Sequence, residues 1–325
     1  MSAEYLLERH VLSSGPALVD SGKDTFAWTP GLAGERAARL KNEVPWGVAT
    51  AGADQPPRLE GRGVLSEDNY LRLHFAWIDG REGKKEPGTF VARSTDQGRT
   101  VTKNFKVDDN TCVCCRTSIA TSPDGLVYVA WRKIFDGNIR ETVVARSADG
   151  GMTFSAPVVV GNDRWVYQAC PHRPASLGVD RMGRLYVVWY TEGADETPAI
   201  YLAYSDDQGK TFSEKKQLNR SKGTFPDHPQ MAVDPHGRVM VIWEEQSPVR
   251  REIVMRHSRD RGNSFSQPQK LNEKHGQTPT IGVNQQGTVV MGWKEHAMPA
   301  HRLVVQTMQL PGVSVAEVEI RTNGP

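Results

Sequence analysis

Tryptophans that close short apolar segments recur at Trp77, Trp131, Trp189, Trp243 and Trp293, with spacings of 54, 58, 54 and 50 residues. A sustained period of this size marks a chain built from stacked copies of one supersecondary unit, so it constrains the fold more than any single motif does. In the last four units a glycine stands six residues before the tryptophan, at Gly125, Gly183, Gly237 and Gly287. Each of these units reads as a short apolar run, a turn such as Ser122 to Gly125 or Asp234 to Gly237, and an alternating strand such as Leu126 to Trp131. A third strand follows (Thr142 to Arg146, Ile200 to Tyr204, Ile253 to His257), and then a second glycine-containing turn. Four strands per repeat is the layout of a propeller blade.

The second turn is the sharper signal. It runs Ser94 to Val101, Ser147 to Phe154, Ser205 to Phe212 and Ser258 to Phe265, with Asp96, Asp149, Asp207 and Asp260 at its third position. An aspartate there accepts backbone N–H bonds inside the loop, the glycine two residues on permits positive φ, and the aromatic packs back between the sheets. These four copies resemble the Asp box, Ser-x-Asp-x-Gly-x-Thr-Phe/Trp, of the sialidase superfamily and related repeat propellers. The first copy departs by ending in Val101 and the last by carrying Ser264. The resemblance implies an all-β, sialidase-like β-propeller of six four-stranded antiparallel blades, and it makes the four aspartates structural, far from the central pocket. The whole chain, residues 1–325, is then expected to be one domain, although its length alone would also suit two. Five tryptophan-marked units are visible, so the sixth blade is expected from Val315 to Arg321 together with His10 to Trp28. Joining the two termini in this way closes the ring and removes exposed sheet edges.

Composition excludes several function classes. The chain has 40 Lys+Arg against 38 Asp+Glu, a net charge of +2, and its basic residues are dispersed, which excludes a nucleic-acid stripe. No apolar run approaches the roughly 20 residues that a spanning helix needs. Met1 to His10 shows neither an apolar core nor a small-residue cleavage site, so no signal peptide is read there. A mature periplasmic or secreted protein is expected, and a cytoplasmic one has the same appearance.

A sialidase of the resembled superfamily needs an arginine triad for the substrate carboxylate, a Tyr/Glu nucleophile pair and an Asp acid/base. The segment that supplies one of those arginines, Phe or Tyr followed by Arg-Ile-Pro, does not occur here. Arg58, Arg116 and Arg173 fall near the starts of first strands and are the candidates for binding an acidic sugar. That makes a glycoside hydrolase the alternative function. Fold alone does not decide, because propellers also serve as protein- or glycan-binding modules.

The innermost strands of a propeller line its central channel, so chemistry is sought just upstream of each unit's first strand. Counting back nine residues from each repeat glycine gives Arg116, Pro174, His228 and Thr278. Immediately before the first two lie all four cysteines of the chain, Cys112, Cys114, Cys115 and Cys170, with His172 beside the last of them. Cys170 is 55 residues from Cys115 but one blade away at the same phase. Loop segments of a propeller have no structural need for thiols. Thiolates and imidazoles on one site suit soft or borderline metals, copper first and zinc second. The expected ligands are Cys112, Cys114, Cys115, Cys170, His172 and, on phase alone, His228; His275 and His296 are weaker candidates. Trp165 and Tyr167 either wall the pocket or belong to the core. A c-type haem is excluded because Arg116 stands where its histidine is required. Disulfides joining Cys170 to the cluster and a dithiol redox centre remain the other readings. The leading expectation is an extracytoplasmic propeller that binds or uses a metal ion, or another small ligand, at the channel mouth. A disulfide-stapled propeller with a protein partner stands as a further alternative.

Overall fold

The computed structural model describes residues 72–309 apart from 84–85, 97–99, 170, 220–222, 235, 285–286 and 298–299, together with four outlying strands. Those outlying strands are β1 (Ala17–Asp20), β2 (Thr25–Trp28), β3 (Val64–Glu67) and β23 (Ala316–Ile320). Among the described residues the architecture is all-β, its one helical turn being a 3₁₀ turn at Asp136–Asn138. No helix among them is long and apolar enough to cross a membrane.

Five four-stranded antiparallel meanders follow one another along the chain. The first joins β3 to β4 (Leu73–Asp79), β5 (Gly88–Ser94) and β6 (Phe105–Asp108). The second holds β7 (Ser118–Thr121), β8 (Val127–Phe135), β9 (Ile139–Ser147) and β10 (Val158–Val159), with β11 (Trp165–Val166) also paired to β9. The third holds β12 (Ser176–Val179), β13 (Leu185–Thr191), β14 (Ala199–Ser205) and β15 (Lys216–Gln217). The fourth holds β16 (Phe225–Val233), β17 (Val239–Gln246), β18 (Arg251–Ser258) and β19 (Gln269–Lys270). The fifth holds β20 (His275–Val283), β21 (Thr288–Ala297), β22 (Ala300–Gln309) and β23. The first strands of successive sheets lie side by side, β3 by β7, β7 by β12, β12 by β16 and β16 by β20, as the inner wall of a propeller requires.

The hairpin β1–β2 sits between the ends of this series, β1 against β20 and β2 against β3. β23 pairs with β22 as the outer strand of the fifth sheet, so the described strands of the two termini stand in different sheets.

The repeat tryptophans explain the packing. Each lies in the second strand of its sheet, and Trp77, Trp131, Trp189, Trp243 and Trp293 are all buried. A second strand faces neighbouring blades on both sides, which is why Leu185–Thr191 is buried at every position and reads as a continuous apolar run. Turns between the first two strands place Gly125, Gly183, Gly237 and Gly287 at φ of 87, 86, 76 and 81°, the left-handed region that only glycine enters cheaply.

The second turns connect third to fourth strands, on the outer side of each blade. In one of them the Ser147 hydroxyl donates to Asp149 at 2.7 Å, and the amide and hydroxyl of Thr153 donate to it at 2.9 and 2.6 Å. Asp207 and Asp260 repeat the arrangement, and Asp96 accepts from Ser94 and Thr100. The hydrogen bonds from Thr100 hold Asp96 down to about 2, and similar bonds lower Asp149, Asp207 and Asp260. In each turn the carboxylate thus bonds the loop that carries it, and Val101, Phe154, Phe212 and Phe265 pack onto the blade cores.

Candidate metal centre

The cysteine segment is positioned by backbone pairing to the end of β8. The amide of Ile134 donates to Asn110 at 2.7 Å and that of Cys112 to the Arg132 carbonyl at 2.8 Å, while Thr111 bonds Pro87 of the first sheet. Cys115 N–H then donates back to the Cys112 carbonyl at 3.1 Å, closing a four-residue turn. That turn leaves Val113 exposed and gathers the sulfurs of Cys112, Cys114 and Cys115 on one side.

The Sγ of Cys112 lies 3.6 Å from that of Cys114 and 3.1 Å from that of Cys115, and all three lie within 4.8 Å of one another. A disulfide bond spans about 2.05 Å, and these three cysteines are free thiols. An ion about 2.3 Å from each of three sulfurs would hold them roughly 4 Å apart, which this turn already approaches. Cys112 and Cys115 are fully buried and pack on Ile134, and Cys114 is partly exposed. Hydrogen bonding with Cys114 and Cys115, with the fields of Arg140 and Arg132 behind it, holds the Cys112 thiol far below its ordinary range. Bonding to its neighbours pushes Cys114 up, and burial pushes Cys115 up to about 11.

The next blade also reaches the cluster. The backbone amide of His172 lies near enough to Cys114 to favour its thiolate, so the segment after Cys170 approaches the first three cysteines. Cys170 itself lies outside the described residues. The imidazoles stand apart from the sulfurs. Among the described residues the group of converging donors comprises the three cysteines without His172 or His228. His172, in left-handed backbone at φ 55°, keeps its side chain exposed. His228 sits in a β-bulge of β16 at φ 47°, which turns its ring toward carboxylates instead. Its Nδ1 is 3.2 Å from Glu244 and 3.5 Å from Asp227, ion-pair distances outside hydrogen-bond alignment. His275 and His296 are exposed and stand outside the group, with His296 on Gln277 at 2.6 Å.

Burial pulls the His228 pKa down and Arg116 adds to that, but Glu244 and Asp227 outweigh them and raise it above the ordinary 6.5. The folded state therefore holds this proton more tightly than the unfolded chain. The stabilisation is complete below pH about 6.5 and lost as pH rises through the raised value. Urea denaturation at pH about 6 and about 8.5 is expected to show a smaller pH-dependent loss in His228→Gln than in the unsubstituted protein. An equal loss in both would contradict this assignment.

Of the arginines proposed for an acidic sugar, Arg173 is committed to Asp227 by bonds of 2.9 and 3.3 Å and lies over the Tyr190 ring at 4.2 Å. Arg116 follows Cys115 and stands where its charge reaches His228 of the fourth blade. Arg58 lies outside the described residues. Trp165 is buried, packs on Tyr167 with ring centroids 4.9 Å apart and carries the Arg132 guanidinium at 5.0 Å from its ring, so it belongs to the core.

Arg132, Tyr190 and Glu244 were not among the residues singled out from the sequence. A simple signal was present, since each directly follows its blade's tryptophan and so faces away from it. Arg132 Nη2 donates to the Tyr190 carbonyl at 2.6 Å, and Glu244 accepts from the Thr278 amide at 2.6 Å, linking the second to the third blade and the fourth to the fifth.

No protein-family profile and no curated protein matches this chain. Solved structures do. A protein described as of unknown function from Dyadobacter fermentans superposes with TM-score 0.57 at 14% identity, covering 81% of this chain and 83% of its own. The NanB sialidase of Streptococcus pneumoniae gives 0.56 at 10% identity over 90% of this chain and 66% of its own. An ulvan lyase of polysaccharide lyase family 25 gives 0.55 at 12% identity over 83% and 72%. The fold is that of the sialidase-like β-propellers. At these identities the likeness extends to fold and carries no activity.

Proposed function

We propose that this protein is an extracytoplasmic β-propeller that binds a single soft metal ion, Cu(I) ahead of Zn(II), through Cys112, Cys114 and Cys115 beside the central channel. The observation that supports this reading is the convergence of three free sulfurs within 4.8 Å. Thiolate donors select Cu(I), zinc and iron–sulfur clusters over magnesium or calcium. Zinc almost always takes four ligands in structural sites, so a three-sulfur set is one donor short for it unless Cys170 or an exogenous group completes it. A bound ion would also protect the thiols from oxidation in an oxidising compartment. Ile134, which packs on Cys112 and Cys115, also lines an open cleft with Glu86, Asp136 and Asn138. We take that cleft, edged by two carboxylates, as the approach for a cation.

The test is metal analysis of protein purified anaerobically with reductant and loaded with Cu(I), paired with a thiol count. One equivalent of copper per chain, resistant to a weak chelator, is the expected result. A chain that retains neither copper nor zinc while its thiols are reduced would remove this reading.

A further inference from the structure

We infer that Arg132 and Arg140 set which ionic charge the cysteine cluster accepts, favouring a monovalent soft ion over a divalent one. The inference rests on the metal-binding reading above. Its structural basis is the register of the second blade. Ile134 of β8 is directly opposite Arg140 of β9, and Arg132 lies two residues before Ile134, so the three share one face of the sheet. Ile134 packs against Cys112 and Cys115. The sheet face under the sulfurs therefore carries a guanidinium on either side of that contact.

Both arginines are buried, Arg132 at 2% and Arg140 at 7% exposure, and among the described residues neither forms an ion pair. Arg132 Nη2 reaches the carbonyls of Tyr190 and Arg173, and its Nε and Nη1 have no hydrogen-bond partner. Arg140 Nε donates to the Tyr167 carbonyl at 3.2 Å. Carbonyls satisfy N–H groups without neutralising a charge. The carboxylate next in sequence, Glu141, is paired opposite Lys133 on the reverse face, where its oxygens accept from the amides of Asp163 and Arg164; the Arg132 charge reaches it, but the two form no ion pair. A guanidinium stays protonated when buried, and a buried charge without a counter-ion is strongly unfavourable. An ion held by three thiolates gives the cluster a net negative charge that these arginines can balance.

This arrangement discriminates between ions. Three thiolates with a monovalent ion carry a net charge of −2, and with a divalent ion −1. Whatever charge the empty cluster has, it is the same starting point for both ions. The effect of each arginine on the preference is therefore its attraction for one additional unit of negative charge. At a separation of several Å in a protein interior, that attraction changes a ratio of affinities by roughly 10- to 100-fold.

The experiment measures Cu(I) and Zn(II) affinities of the full-length protein by competition with chromogenic chelators, for the unsubstituted chain, Arg132→Met, Arg140→Met and Arg132→Lys. Arg132→Met and Arg140→Met are each expected to lower the Cu(I):Zn(II) affinity ratio by roughly 10- to 100-fold, whereas Arg132→Lys, which keeps the charge, stays within about threefold. A ratio unchanged in both Met variants overturns the inference, and so does a Lys variant that falls as far as the Met one. Failure of the unsubstituted protein to hold either ion is seen before any arginine is altered, and it overturns the metal-binding reading itself. Arg140→Met and Arg132→Lys keep the comparison decisive if Arg132→Met does not fold.

Discussion

Trp243→Ala is expected to lower the free energy of unfolding by about 3–5 kcal/mol, at the upper end for truncation of one buried side chain, read from denaturant midpoints at constant m. Trp243 is buried in β17 and joins the cluster where the third and fourth blades meet, with Tyr186, Val188, Met231 and Val241 among its members. Alanine there removes the largest side chain and leaves a void between two sheets whose backbones are held by their own hydrogen-bond ladders, so collapse is limited. A second, smaller comparison separates packing from hydrogen bonding. The Trp243 indole N–H donates to Glu245 at 2.6 Å, and the equivalent N–H of Trp131 has no partner among the described residues. Trp243→Phe therefore weakens the satisfaction of a buried carboxylate and costs about 1–3 kcal/mol more than its lost area alone, whereas Trp131→Phe costs little beyond area. Equal costs for the two phenylalanine variants would show that the indole bonds contribute nothing.

The pairing follows from position in the repeat. Trp77, Trp243 and Trp293 each have a carboxylate two residues on, Asp79, Glu245 and Glu295, and each donates to it. Trp189 has Thr191 there and uses Asp163 instead, while Trp131 has Lys133.

These periodic features were legible because both the 54-residue spacing and the two-residue alternation within strands survive in the linear sequence. The tryptophans, the glycine turns and the aspartate turns all stand where the repeat placed them. The ends of the ring were harder to read. β23 matches no tryptophan-marked unit, and only hydrogen bonding to β22 assigns it to the fifth sheet. At the site, the clustering of Cys112, Cys114 and Cys115 was readable from their spacing, and the aim of the histidines was not. Blade phase brings His172 and His228 to the right level of the ring, but a left-handed residue or a bulge decides where a ring points, and neither leaves a mark in residue spacing. His228 is turned to Glu244, a residue that the count from the glycines passes over.

Cys115→Ser is expected to weaken Cu(I) binding by at least about 100-fold, so that the equivalent of copper held by the unsubstituted chain is lost to a weak chelator. A three-donor site has no spare ligand. Cys112, Cys114 and Cys115 are the three donors that the turn closed by the Cys115 amide brings together, and a serine hydroxyl at position 115 is a hard, protonated oxygen that a soft ion does not favour. Burying that hydroxyl against Ile134 costs about 1–3 kcal/mol of stability, which a folded domain of this size tolerates, so the metal loss is measured on folded protein. His172→Ala and His228→Ala supply the contrast. His172 is exposed and His228 faces carboxylates, so both variants are expected to bind Cu(I) within about threefold of the unsubstituted chain. Loss of copper on His228→Ala with retention on Cys115→Ser would move the ion from the sulfurs to the carboxylate-lined bulge of the fourth blade. Loss on all three would mean that the site spans the channel mouth, with the cysteine turn as one wall.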